Sequence, residues 1–311
     1  VILIIYFAVL IGIGLYCRKH ATDVNGFVLG GRSVGPWLTA FAYGTSYFSA
    51  VVFVGYAGQF GWKYGIAATW AGIGNAIIGS LLAWVVLGRR TRIMSQHLDS
   101  ATMPQYFGKR FGSNPLKIGA SVIIFIFLIP YTASLYNGLS RLFGMAFNID
   151  YSVCIIIMAT LTAIYVIAGG YMATAINDFI QGIIMLFGIV AVIAAVIHSK
   201  GGFMSALQGL ANVSDPAVSD TPGIFASFFG PDPFNLLCVV ILTSLGTWGL
   251  PQMVQKFYAI DNEASIQKGT VISTIFALIV SGGCYFLGGF GRLFSDQIDV
   301  KANGFDSIIP T

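Results

Sequence analysis

Charged residues fall in a few short clusters along this chain, and between them run stretches of roughly 18 or more residues without charge, each about the length of a helix crossing a hydrocarbon layer. Runs so continuously apolar are helical; a membrane strand would alternate apolar and polar residues over about ten positions. About eight spans are predicted, near 1–17, 37–60, 65–88, 115–146, 151–173, 176–198, 234–257 and 268–292. The basic residues sit between them: Arg18, Lys19 and Arg32 after the first span, and Arg89, Arg90, Arg92, Lys109, Arg110 and Lys117 after the third. Lys and Arg favour the cytoplasmic side, so these two loops are expected inside and the N-terminus outside. The connection 199–233 sets Asp215, Asp220 and Asp232 against a single Lys200, and is expected outside as a structured loop or lid. A short interfacial helix is expected over 100–111, started by Asp99 or Ser100 and anchored by Tyr106 and Phe107.

Composition agrees with this pattern. The chain is 56% hydrophobic and 9% charged over 311 residues, where soluble domains carry about 25% charge. The fold class is therefore an all-α polytopic membrane protein. The net charge of +4 resides in loops, which excludes nucleic acid as a partner. Cys17, Cys154, Cys238 and Cys284 lie singly in apolar runs and read as packing residues, and His20, His97 and His198 share no helical face that could hold a metal. No Ser/His/Asp or paired-carboxylate constellation points to an enzyme. The apolar start lacks an initiator Met, a basic region and a small-residue cleavage site, so it is not read as a signal peptide; both ends read as cut, the chain as a fragment.

Two spans have interrupted middles. One carries Gly44, Thr45, Ser46, Tyr47, Phe48 and Ser49; the other runs from Thr243 and Ser244 through Gly246, Trp248, Gly249 and Pro251 to Gln252. Glycine and proline weaken a helix, and in hydrocarbon broken backbone survives only where it faces protein, water or a bound ion. A cation would satisfy it. The first interruption opens a group of five helices (37–198) and the second opens the next group, the arrangement of a site between inverted repeats near the bilayer midplane. The competing reading is packing by small residues with a tolerated proline kink. Asp178 is the one acidic residue placed in or at the end of a span: it either marks an ion path or caps the first turn of its helix. Lys256 and Lys268 flank a turn containing Asp261 and Glu263 and read as interface anchors. The glycines at 282, 283, 288, 289 and 291 read as close helix packing rather than a nucleotide loop.

Four blocks resemble the sodium/solute symporter family: Gly30-Gly31-Arg32-Ser33-Val34-Gly35-Pro36-Trp37, the run 101–111, the run 168–181, and Trp248-Gly249-Leu250-Pro251-Gln252 leading into Lys256. The resemblance implies a leucine-transporter-like inverted-repeat fold with one extra helix before the first repeat. The divisions are then 1–36 for the extra helix and its loop, 37–198 for the first repeat, 199–233 for the outer loop and 234–311 for an incomplete second repeat. It implies a sodium ion held by backbone carbonyls at Thr45 and Phe48, with hydroxyls from a later helix that this chain would end just before. Asp178 matches an acidic position that some members use for a further sodium. Proline symporters carry Asp where this chain has Tyr47, and sugar symporters carry polar groups near Val51 and Val52; Phe53-Val54-Gly55 followed by Lys63-Tyr64-Gly65 is closer to the pantothenate and monocarboxylate branch. The expectation is an inner-membrane, sodium-coupled symporter that imports a small polar solute, with a carboxylate or amino acid favoured, by alternating access. Its solute contacts are expected at Ser46, Ser49, Thr243, Ser244, Trp248 and Gln252, with Trp248 as a flat apolar wall. A channel, which would need a continuous polar pore, and a sensor domain built on a transporter fold remain open alternatives.

Overall fold

In a bilayer the only partners for backbone amides are the chain's own carbonyls, so apolar runs of this length must coil. The computed structural model describes residues 2–49, 51–147, 149–298, 300 and 304–310, and its ordered elements among them are helical. Helix α1 is Ile2–Cys17, followed by the short α2 (Val24–Leu29) and by α3 (Pro36–Tyr47). Helical residues then run from Val51 to His97 and from Tyr151 to Ser199, 47 and 49 residues that would each exceed about 70 Å if straight, twice a bilayer core.

One glycine divides each run. Gly65 has φ 63°, ψ −145° and Gly170 has φ 59°, ψ −151°, conformations closed to residues with a Cβ. A Cβ on Gly65 would lie 2.0 Å from the Phe225 carbonyl oxygen, and one on Gly170 would lie 2.9 Å from that of Phe27. Sterics and backbone thus agree on glycine, and the runs become α4 (51–64), α5 (65–97), α8 (151–169) and α9 (171–199). Between them stand α6 (Met103–Phe111) and α7 (Asn114–Phe147); after them come α10 (Phe203–Ala211), α11 (Pro233–Gly249), α12 (Pro251–Ala259) and α13 (Glu263–Gly289).

The eight expected spans are recovered as α1, α3 with α4, α5, α7, α8, α9, α11 with α12, and α13. Boundaries move where a turn is tighter than expected. The turn expected near 173–176 sits at Gly170, which places Asp178 in the third turn of α9, too deep to cap it. The interfacial helix is capped by Thr102, not Asp99 or Ser100: its hydroxyl accepts from the Gln105 amide at 3.4 Å, while the Gln105 side chain accepts from the Ala101 amide at 3.0 Å. The 199–233 connection holds α10 and a turn that buries Phe225.

Two compact units share the chain. The first comprises Val1–Tyr47, Leu82–Gly182 and Trp248–Ser273, the second Phe48–Leu81, Ile183–Thr247 and Thr274–Thr311. The chain passes between the units after Tyr47, Leu81, Gly182, Thr247 and Ser273, and the first and fourth of these crossings fall inside the two interruptions.

In the first unit a core of Leu29, Val34, Ala101, Tyr171, Ala175, Val254, Tyr258 and Ala259 joins segments from all four blocks that carry the family resemblance. Arg32 binds that core's edges: its guanidinium donates to the carbonyls of Ser100 (2.8 Å) and Tyr258 (3.4 Å). Arg92 donates to the carbonyls of Ile260 (3.0 Å) and Asp261. These are neutral acceptors at helix ends, so the two arginines act as splints for orphan carbonyls. Tyr43, Trp84 and Phe257 pack as a ring trio with centroids 5.1–5.7 Å apart.

The second unit relies on glycine. A Cβ on Gly288 would meet the Ala57 carbonyl oxygen at 1.9 Å, and one on Gly72 would meet Gly282 at 2.6 Å, so α13 lies directly against α4 and α5 as expected for this glycine series. A second core forms from Ala206, Leu210, Phe225 and Phe290. Over it Arg292 donates to Asp215 (2.9 Å) and to the Trp62 carbonyl (2.5 Å), its guanidinium 3.9 Å from the Phe225 ring centroid.

Candidate ion and solute site

Both interruptions are real breaks, somewhat displaced from the expected positions. Helix α3 stays regular through Thr45, Ser46 and Tyr47, and the chain leaves helical geometry at Phe48 and Ser49. A helix that stops leaves its last four carbonyls without intrahelical donors, and in α3 these include that of Thr45. Ser49 opens the next helix: its carbonyl accepts from the amides of Val52 and Phe53, both at 3.0 Å.

The second break is sharper. Helix α11 tightens over Gly246–Gly249, Leu250 is extended at φ −69°, ψ 127°, and Pro251 begins α12, with an axis bend of 53°. Proline needs no amide partner at the first position of a helix and prefers an extended residue before it, which fixes where the restart occurs.

Within the first unit Thr45 and Asp178 come together, although the resemblance assigns them to two different sodium ions. The Thr45 hydroxyl donates to the Phe41 carbonyl at 2.9 Å, has the Ala42 carbonyl at 3.4 Å, and lies in hydrogen-bonding range of the Asp178 carboxylate. The expected interface anchor Lys256 is instead buried, 7% exposed, with its ammonium 3.8 Å from Asp178 and 4.9 Å from the Tyr171 ring centroid. Helix α12 carries it there because the restart at Pro251 turns Lys256 toward α9. An uncompensated buried charge is costly, and each ion here offsets the other. Close by in sequence, Asn177 is 1% exposed and neither of its side-chain amide atoms has a hydrogen-bond partner among the described residues; the same holds for both amide atoms of Gln252, one turn before Lys256 on α12. Trp248 and Ser46 are half-buried in this unit.

Within the second unit, Thr243 and Ser244 are joined by a residue that sequence reasoning passed over. Both hydroxyls donate to the Asn75 side-chain oxygen, at 3.0 and 3.1 Å, and the Asn75 amide nitrogen donates to Ser281 at 3.3 Å. Ser244 and Asn75 are buried, Thr243 and Ser49 partly so. Asn75 and Lys256 were both detectable, since a polar amide inside a predicted span and a lysine in the last turn of another break the apolar pattern as Asp178 does.

Known proteins share this architecture. The model of the sodium:solute symporter family matches residues 27–299. The osmoregulated proline transporter OpuE of Bacillus subtilis is 29% identical over 95% of this chain and 59% of its own length. A sodium/proline symporter of Staphylococcus aureus is 30% identical over 97% of this chain and 57% of its own. A solved structure of a Na+-coupled sialic acid symporter, substrate-bound and outward-open, superposes with a TM-score of 0.74 over 99% of this chain and 63% of that one, at 17% identity. That likeness shows the leucine-transporter-like fold. The chain spans less than two thirds of the length of each of these proteins.

Proposed function

Because the chain belongs to the sodium:solute symporter family and is a multi-pass membrane protein, we propose that the full protein moves a small organic solute together with sodium by alternating access. The observation that carries this reading is the pair of helix breaks, at Phe48–Ser49 and at Leu250. Broken backbone at membrane depth leaves carbonyl oxygens for a cation and a helix N-terminus for an anionic group. Sodium binds carbonyls at Thr45 and Phe48, and the Asp178 carboxylate, paired with Lys256, is the position for a further sodium. The candidate solute contacts are Ser46, Ser49, Thr243, Ser244, Trp248 and Gln252. The positive end of α12 and the Gln252 amide beside it, without a partner among the described residues, suit a carboxylate, and an amino acid such as the proline named for the relatives is the first candidate. The segments 37–198 and 234–311 are the first repeat and the beginning of the second, joined by the 199–233 outer loop, with 1–36 preceding them. The N-terminus is outside an inner membrane whose potential supplies about 2.3 kcal/mol per sodium charge at 100 mV.

Uptake into proteoliposomes by the full-length protein tests this, using proline, other amino acids, small carboxylates and sugars with and without an inward sodium gradient. Sodium-dependent accumulation of at least one is expected. Ser49→Leu and Asp178→Asn should each weaken it about tenfold, the effect of losing roughly 1.4 kcal/mol of binding. Unitary currents without accumulation would establish a channel instead, and solute binding without flux would point to a sensor.

A further inference from the structure

Some basic side chains described on the loops of the first unit have an internal task. Arg32 and Arg92 serve backbone carbonyls, and Arg89 pairs with Glu263 at 2.6 Å. Among the rest, three lie close in sequence at one corner: Lys109 and Arg110 in the last turn of α6, and Lys117 in the first turn of α7. The two helices touch there. Gly108 has no side chain, and a Cβ built on it would fall 2.7 Å from the Cβ of Lys117 and 3.4 Å from its Cδ, so the lysine stem lies across the end of α6. Gly112 in a left-handed conformation (φ 60°) makes the turn short, which sets the last turn of α6 beside the first turn of α7. All three are exposed, and none makes an ion pair among the described residues; Lys109 reaches only the Asp99 carbonyl, at 2.5 Å.

Apolar side chains share the corner. Phe111 is 68% exposed and Ile118 63%, with Leu116 at 41%. Three unpaired cations beside outward-facing apolar groups, at the junction of an interfacial helix and a membrane span, match a phosphate headgroup with acyl chains below it. We propose that the α6–α7 corner is a docking site for an anionic phospholipid, with Lys109, Arg110 and Lys117 holding the phosphate and Phe111, Leu116 and Ile118 lying along the chains. The charge complementarity is independent of any transport activity, so this site stands or falls separately from the function proposed above.

The full-length protein in detergent, titrated with phosphatidylglycerol or phosphatidylcholine and read by native mass spectrometry, gives the test. Tighter retention of phosphatidylglycerol is expected, and the variant K109Q/R110Q/K117Q should lose about tenfold of it without change toward phosphatidylcholine. The charge-conserving variant K109R/R110K/K117R should keep it. Equal lipid preference in the glutamine variant overturns the proposal, as does displacement of the lipid by excess inorganic phosphate, which would mark a site for a soluble anion. Should the triple variant melt early, Arg110→Gln alone replaces it, and an unchanged preference there is equally fatal.

Discussion

A buried lysine and the partly buried aspartate beside it constrain each other more than either constrains the fold. Removing one partner of a buried ion pair strands the other, at a cost of about 3–5 kcal/mol, whereas replacing both with neutral groups is often close to harmless. Lys256→Met should therefore lower the thermal midpoint of the purified protein substantially, and the double variant D178N/K256M should recover most of the loss. Additive destabilisation in the double variant would show that the two side chains do not interact. Asn75→Leu is a milder case: it leaves the hydroxyls of Thr243, Ser244 and Ser281 without their amide, at about 1–3 kcal/mol, again read as a fall in thermal midpoint. Asp178 was legible from sequence because a carboxylate in an apolar run is conspicuous. Its partner was not paired with it, because no periodic signal links positions 178 and 256; only the restart of α12 brings them together.

At the scale of elements, the breaks were visible as clusters of small and hydroxylated residues, and the structure shifts them by a few positions. Gly44 to Tyr47 stay helical because small residues tolerate a helix as well as they permit a break. Pro251 is more restrictive, and the sequence placed the second restart well. Replacing Pro251 with Ala removes the preference for an extended Leu250 and restores a helical donor. A longer α11 is the expected result, with sodium-dependent uptake reduced about tenfold or more, measured in the same proteoliposomes. Retained uptake would mean that Gly246–Gly249 alone holds the helix open. The turn at Gly65 falls at the expected boundary between two spans, whereas that at Gly170 was less legible: a single glycine inside an apolar run looks the same whether it packs a neighbour or reverses the chain.

For the whole molecule, hydropathy alone delivered the number of spans, and the four family-like blocks delivered the fold. That these blocks meet in one core around α12 explains why they occur together: Leu29, Ala101, Tyr171 and Tyr258 come from the four of them or their immediate flanks and pack against one another. Contacts instead divide the chain into two units, exchanged at both helix breaks, a grouping invisible to any linear pattern. If sodium occupies the first break, backbone amides around residues 48–53 should exchange hydrogen more slowly in sodium than in potassium, by about tenfold or more, while those in the middle of α7 should not respond. Mass-spectrometric exchange on the full-length protein reads both regions at once, and uniform behaviour in the two salts would remove the ion from Thr45 and Phe48.

The single-residue turns at Gly65 and Gly170 also bear on biogenesis. With no hydrophilic stretch between α8 and α9, or between α4 and α5, a nascent chain has nowhere to pause after the first member of either pair. Each pair is committed to enter the lipid together, and epitope tags inserted at these two corners should abolish insertion while the same tag in the exposed turn at 216–222 is tolerated.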